Sequence, residues 1–188
     1  MQAPPNRMRL LLTTLVFGAT LAGCATIPAE QCPHVDWMAL GVEDGRQGFG
    51  PARLDQHRSA CSKAGVVPDA GAWEAGRSQG LIFYCQLPNA ISQGLARHAY
   101  AQTCADQAFR ELYVAARRLG DARHAVESVD QDLDSSERHL LNARKLSDKD
   151  RAELHSEIRQ LERRRDRLRD EQRDAERALE RLRDRVGV

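Results

Sequence analysis

Histidine and cysteine fall close together three times in this chain. His34 lies two residues from Cys32, His57 four from Cys61, and His98 six from Cys104. On a helix a spacing of four places His57 and Cys61 on one face, as two metal ligands would require. A Cys–His pair is also a candidate nucleophile and base. Asp44, Asp55 and Asp69 are carboxylates of the kind hydrolysis uses. The chain has no CxxC, HExxH, phosphate loop or dinucleotide fingerprint to sharpen these readings. Disulfides, helix caps and solvated charges account for the same residues without a reaction. No catalytic residue is therefore assigned, and the expected protein is not an enzyme.

The compartment decides between these readings. Among the five cysteines, Cys24 stands apart. Arg7 and Arg9 precede an apolar run from Leu10 to Ala22, which ends Leu21-Ala22-Gly23-Cys24. Crossing a bilayer takes about 20 apolar residues, so the run is short for a span and suits an export signal. Its ending resembles the lipobox of bacterial lipoproteins, whose cleavage leaves the cysteine as a lipidated N-terminus. The expectation is a signal peptide over 1–23, a covalent lipid on Cys24 and a tether over 24–31. Extended, Ala25 to Gln31 reaches at most about 25 Å. Ala25, rather than Asp, points to the outer membrane by analogy with enteric-type sorting, facing the periplasm. Export leaves Cys32, Cys61, Cys85 and Cys104 as an even set for two disulfides, in any of three connectivities. Oxidised sulfur does not ligate, so no metal or other cofactor is expected. His57 with Cys61 is the alternative.

Charge divides the chain. Residues 1–104 carry 15 charges, while residues 105–188 carry 40, 20 of each sign, for a net charge of +1 overall. That balance removes the electrostatic case for nucleic acid. All seven prolines lie at or before Pro88 and all nine aromatics at or before Tyr113. The organisation is a Cys- and Gly-rich domain over 32–104 followed by an arm over 105–188.

The domain reads as short helices without an alternating strand. Asp36 caps a helix from Trp37, and Pro51 and Gly65 bracket one from Ala52 to Ala64. Asp69 caps a third, running to about Tyr84, and Pro88-Asn89 starts a fourth from Ala90. Gly41, Gly45 and Gly48 recur at spacings of four and three, Gly76 and Gly80 at four, so each set lines one helical face. A helical glycine costs about 1 kcal/mol relative to alanine. Close helix-to-helix packing offsets that cost; a smooth groove for a ligand chain is the alternative. Trp37 before Gly45-Arg46 is echoed by Trp73 before Gly76-Arg77.

The order Cys32, Asp36-Trp37, Gly41, Asp44-Gly45, Gly48, His57, Cys61 continues through Pro68-Asp69, Trp73, Gly76-Arg77, Gly80-Leu81 and Tyr84-Cys85 to Asn89, Gly94, Tyr100 and Cys104. It resembles the uncharacterised bacterial lipoprotein family DUF2799, over about residues 32–113. The resemblance implies a lipoprotein and brings no known reaction. Trp73 stands where the family usually has tyrosine, Arg97 and Gln102 where glycines are common, and Ala105 where proline is common.

From Ala105 the period becomes seven. Leu112, Leu119, Val126, Leu133 and Leu140 form one layer, with Ala115, Ala122, Val129, Ser136 and Ala143 as the other. Gly120 reads as a soft point. Ser147 with Asp150 resembles a capping box. A second seam follows: Leu154, Leu161, Leu168, Ala175 and Leu182 with Ile158, Arg165, Gln172, Leu179 and Val186. A short turn favours two antiparallel helices, each about 60 Å long. A homodimeric coil and a single charged helix compete. Arg163-Arg164-Arg165 is basic, but Arg167, Asp170, Arg173 and Glu176 alternate in sign at spacing three, as on a solvated face.

The expected fold is all-α: a small disulfide-stapled helical region followed by a long antiparallel helical hairpin, a coiled coil. The expected role is that of a membrane-anchored envelope lipoprotein, structural or docking, acting through the arm. Its partner is a periplasmic protein or a second copy, not nucleic acid. A ligand- or metal-binding module in the Cys/Gly-rich region is the alternative, and a hydrolase of envelope material such as peptidoglycan the third reading.

Overall fold

The structure, a computed structural model, describes residues 26–142 and 146–188. The expected export signal over 1–23, Cys24 and Ala143 lie outside the described residues. Six α-helices follow one another, with no strand among the described residues: α1 (Trp37–Arg46), α2 (Ala52–Cys61), α3 (Ala70–Tyr84), α4 (Leu87–Leu95), α5 (Gln107–Asn142) and α6 (Asp148–Val186). The chain is all-α, as its patterns indicate. Asp36 accepts the Ala39 N–H at 3.0 Å and Asp69 that of Ala72 at 2.9 Å. Gly65 stops the second helical run at φ +67°. One boundary differs from expectation: α4 starts at Leu87, not Ala90. Pro88 fits the first turn, where no backbone donor is needed.

Two disulfides form, Cys32–Cys61 and Cys85–Cys104. The first ties the segment before α1 to the end of α2. The second ties the end of α3 to the segment before α5. Each constrains the unfolded chain by about 2–4 kcal/mol.

The glycine faces of α1 and α3 meet. A methyl group at Gly41 would lie 2.1 Å from the Trp73 carbonyl oxygen, and one at Gly45 2.2 Å from that of Arg77. In return, one at Gly76 would lie 2.0 Å from the Met38 oxygen and one at Gly80 2.1 Å from that of Val42. The register rises along both helices together, so they run parallel. This is close packing, and the partner helix fills the face that a ligand groove would have needed. Gly48 differs from its set: it ends α1 at φ +76°, where a Cβ would lie 2.2 Å from the Tyr84 ring. A parallel pair needs a return crossing, which α2 supplies.

The second half is built on α5. A Cβ at Gly94 would lie 2.6 Å from the Tyr113 oxygen, and one at Gly120 2.7 Å from that of Leu95. Gly120 is thus a contact point with α4 rather than a soft point. Tyr84, Ala90, Phe109, Leu112, Ala116 and Leu119 form one core with Ala175, Leu179 and Leu182 of α6. The hairpin closes within the chain and is antiparallel: Arg123 pairs with Glu176 at 3.3 Å and Asp130 with Arg169 at 3.7 Å. Ser147 caps α6, its hydroxyl accepting the Asp150 N–H at 3.1 Å and donating to the Asp150 carboxylate at 2.7 Å. Along α5 the seam is buried at Leu112, Leu119, Val126, Val129 and Leu133. In the distal hairpin Leu154 is buried, while Leu140, Ile158, Leu161 and Leu168 are half-buried, since there two helices have only each other to cover them.

Arg97 and Gln102 adopt left-handed backbone, at φ 61° and 55°. These are the two positions where the family resemblance leads one to expect glycine. Left-handed backbone costs a non-glycine residue about 1–2 kcal/mol. Arg97 offsets part of this by pairing with Asp121 at 2.8 Å. Gln102 is exposed. Gln102→Gly should therefore raise stability by about 1 kcal/mol, read as an upward shift in Tm. Arg97→Gly, which also loses the ion pair, should gain less.

Candidate functional site

The sequence-selected carboxylates part company in the fold. Asp69 caps α3, and Asp55 is exposed beside Arg58. Asp44, on α1, is buried with 3% exposure and is the centre of a polar cluster. Trp73 Nε1 on α3 donates to Asp44 Oδ2 at 2.8 Å, and His57 Nε2 on α2 to the same oxygen at 2.7 Å. Arg53 Nε, one turn before His57 on α2, donates to Oδ1 at 3.3 Å. The other ring nitrogen, His57 Nδ1, is hydrogen-bonded to the Thr26 hydroxyl at 2.8 Å. One carboxylate thus holds α1, α2 and α3 together, and through His57 the N-terminal segment as well.

Hydroxyl, imidazole and carboxylate stand here in the order of a hydrolytic triad. Access decides against that use. His57 is 0% exposed and Trp73 1%, and both imidazole nitrogens are engaged. A general base must reach the proton it removes. The cluster is a clasp: buried polar groups fully paired with one another.

The metal-ligand alternative at His57 and Cys61 is corrected by the same geometry. The Cys61 sulfur is bonded to Cys32, and His57 gives both nitrogens to protein partners. His34 is exposed at the end of a short 3-10 turn. His98 is exposed, with Nδ1 2.9 Å from the Gln93 side-chain oxygen.

The chain also carries a nucleophile pattern that its cysteines, histidines and aspartates do not reveal. Gly76-Arg77-Ser78-Gln79-Gly80 spells G-x-S-x-G, the signature of a nucleophile elbow when it joins a strand to a helix. Here it lies inside α3. Ser78 is exposed and its hydroxyl faces the Glu74 carboxylate at 3.5 Å, not an imidazole. Its two glycines serve the contact with α1. Thr26 was also missed, and nothing in its sequence context marks it. Arg53 carried a signal, its spacing of four from His57.

Arg77 is buried with 8% exposure. It donates to both Glu74 oxygens, at 2.9 and 2.7 Å, and to the Phe49 carbonyl at 3.3 Å. The Arg77 hydrogen bonds hold the Glu74 carboxyl below its ordinary range, against the opposing effect of burial. A carboxyl held low in the fold stabilises above its unfolded pKa, about 4.3, and loses that contribution as pH falls through the folded value. Glu74→Gln should therefore lower Tm at neutral pH. Its difference from the parent should shrink progressively in melts below about pH 4.

On the other half, Val114 is 64% exposed. With Ala115, Leu182, Arg110, Arg118 and Arg185 it lines an open groove of about 610 Å³ between α5 and α6. Its floor is apolar and its rim mostly basic. No helix of the described residues is long and apolar enough to cross a membrane.

No curated protein and no solved structure matches the chain. Helices α1 to α4 and the start of α5 coincide with a family match: residues 36–121 fit the family model DUF2799, a protein of unknown function.

Proposed function

We propose that this is a membrane-anchored envelope lipoprotein that holds out the α5–α6 hairpin as a docking arm. Lipid on Cys24 would fix the chain to the outer membrane, the clasped domain would form the base, and the arm would meet a periplasmic partner protein. Anchoring raises the local concentration of the arm for such a partner without any new contact. The observation that carries this reading is the half-buried seam of the distal arm. Past Asp121, where α4 ends its hold on α5, the hairpin continues for about 30 Å. There Leu140, Ile158, Leu161 and Leu168 keep apolar surface open to solvent. The apolar groove at Val114 extends the same offer towards the base.

The test shortens the arm and spares the base. Residues 112–120 of α5 belong to the core, so residues 127–171 are replaced by a short turn. Crosslinking in whole cells should then lose the partner while membrane attachment persists. Unchanged crosslinking rejects the docking role. Cys24→Ser should abolish lipid labelling and membrane retention; retained label rejects the anchor.

A further inference from the structure

We propose that the anchored protein has no free tether: Thr26 and Ile27 are clamped into the fold, so the base lies flush on the bilayer with the Val66–Val67 loop in the headgroup layer. This rests on Cys24 being the lipidated residue. The sequence alone suggests an extended link over 24–31, yet Thr26 and Ile27 within it are packed. The Thr26 hydroxyl bonds to His57 at 2.8 Å. Ile27 is 5% exposed, set against Cys32 and Cys61 with Val35, Trp37, Leu40 and Val66 around it. The segment then turns tightly, the Gln31 N–H bonding to the Pro28 oxygen at 3.0 Å and that of Cys32 to the Ala29 oxygen at 3.3 Å.

Only Ala25 separates Cys24 from Thr26, two steps and at most about 7 Å of chain. That reach leaves no room for a protein between base and membrane, so the occupant of this side is lipid. The side is suited to it. Val66 packs on the Ile27 cluster, and its neighbour Val67 is 79% exposed. Lys63 lies just before this loop. An exposed apolar side chain gains by entering the headgroup–acyl boundary, and a nearby lysine favours anionic headgroups. The parallel course of α1 and α3 then sets the height of the arm. The N-terminal end of α3 follows Val67, while Tyr84 at its other end enters the core that roots α5. Fifteen residues of α3 rise about 22 Å between them.

The test uses the full lipidated chain in vesicles of phosphatidylethanolamine and phosphatidylglycerol that carry headgroup-proximal spin-labelled lipid. A fluorophore is placed on Val67→Cys or on Ile82→Cys, the latter position being 69% exposed near the far end of α3. Quenching should be several-fold stronger at position 67. Ten Gly/Ser residues inserted between Ala25 and Thr26 should bring quenching at 67 down to that at 82, with flotation unchanged. Floating protein with equal quenching at both positions, or with quenching at 67 unaffected by the insertion, overturns the clamp while the anchor stands. Protein that does not float overturns the anchor and the clamp together.

Discussion

Gly76→Ala is expected to lower stability by about 3 kcal/mol, at the upper end of overpacking costs, and Tm by about 6–12 °C at 2–4 °C per kcal/mol. The added methyl would lie 2.0 Å from the Met38 oxygen and 2.9 Å from its carbonyl carbon. Both atoms are backbone in the first turn of α1, so no side chain can swing aside, and the helices must separate. Separation also loosens Gly41, Gly45 and Gly80, which share the contact. Alanine's better helix propensity returns only about 1 kcal/mol. Gly71→Ala is the matched control: the site is on the same helix, exposed, with only the Asp69 carboxylate 3.5 Å from a Cβ. It should be neutral or stabilising by urea denaturation. Equal, small effects at both positions would show that α1 and α3 do not pack through their glycines.

Asp44→Ala should cost about 3–5 kcal/mol, the loss expected when one partner of a buried charge network is removed. Trp73 Nε1 and His57 Nε2 would lose their partner outright, while the partly exposed Arg53 Nε can turn to water. His57 and Trp73 are buried, so water cannot replace the carboxylate without opening the clasp. A double-mutant cycle with His57→Ala should show a coupling of about 1–3 kcal/mol. The hydrolase reading makes a different forecast, in which either change removes an activity and leaves the melt alone. Additive small changes in stability would show that the cluster is not a clasp.

Legibility differed between elements for a physical reason. The caps at Asp36, Asp69 and Ser147 act within three residues, so local spacing reveals them. The heptads of α5 and α6 also announce themselves, because a seam repeats its own pattern. Gly41, Gly45, Gly76 and Gly80 showed that something approaches closely, while the parallel pairing needed the fold. Gly120 reads as a soft point within its own helix, and only the fold shows its partner, Leu95, on another. The glycines expected at 97 and 102 from the family resemblance coincide with the positions where the backbone turns left-handed, although the φ angles come from the folded chain.

His57 and Asp44 were visible as residue types, as was the even set of cysteines. Their assembly was not. The His57–Cys61 spacing fits a ligand pair equally well, and only the fold hands the sulfur to Cys32 and the imidazole to Asp44 and Thr26. Composition and periodicity thus settle what each segment is: stapled helices first, a charge-balanced hairpin after. Which groups meet is a matter of contacts between residues far apart in the chain, 13 positions for His57 and Asp44, 29 for Trp73 and Asp44. Local propensity carries no information about such pairs, because burial of one helix face against another chooses them.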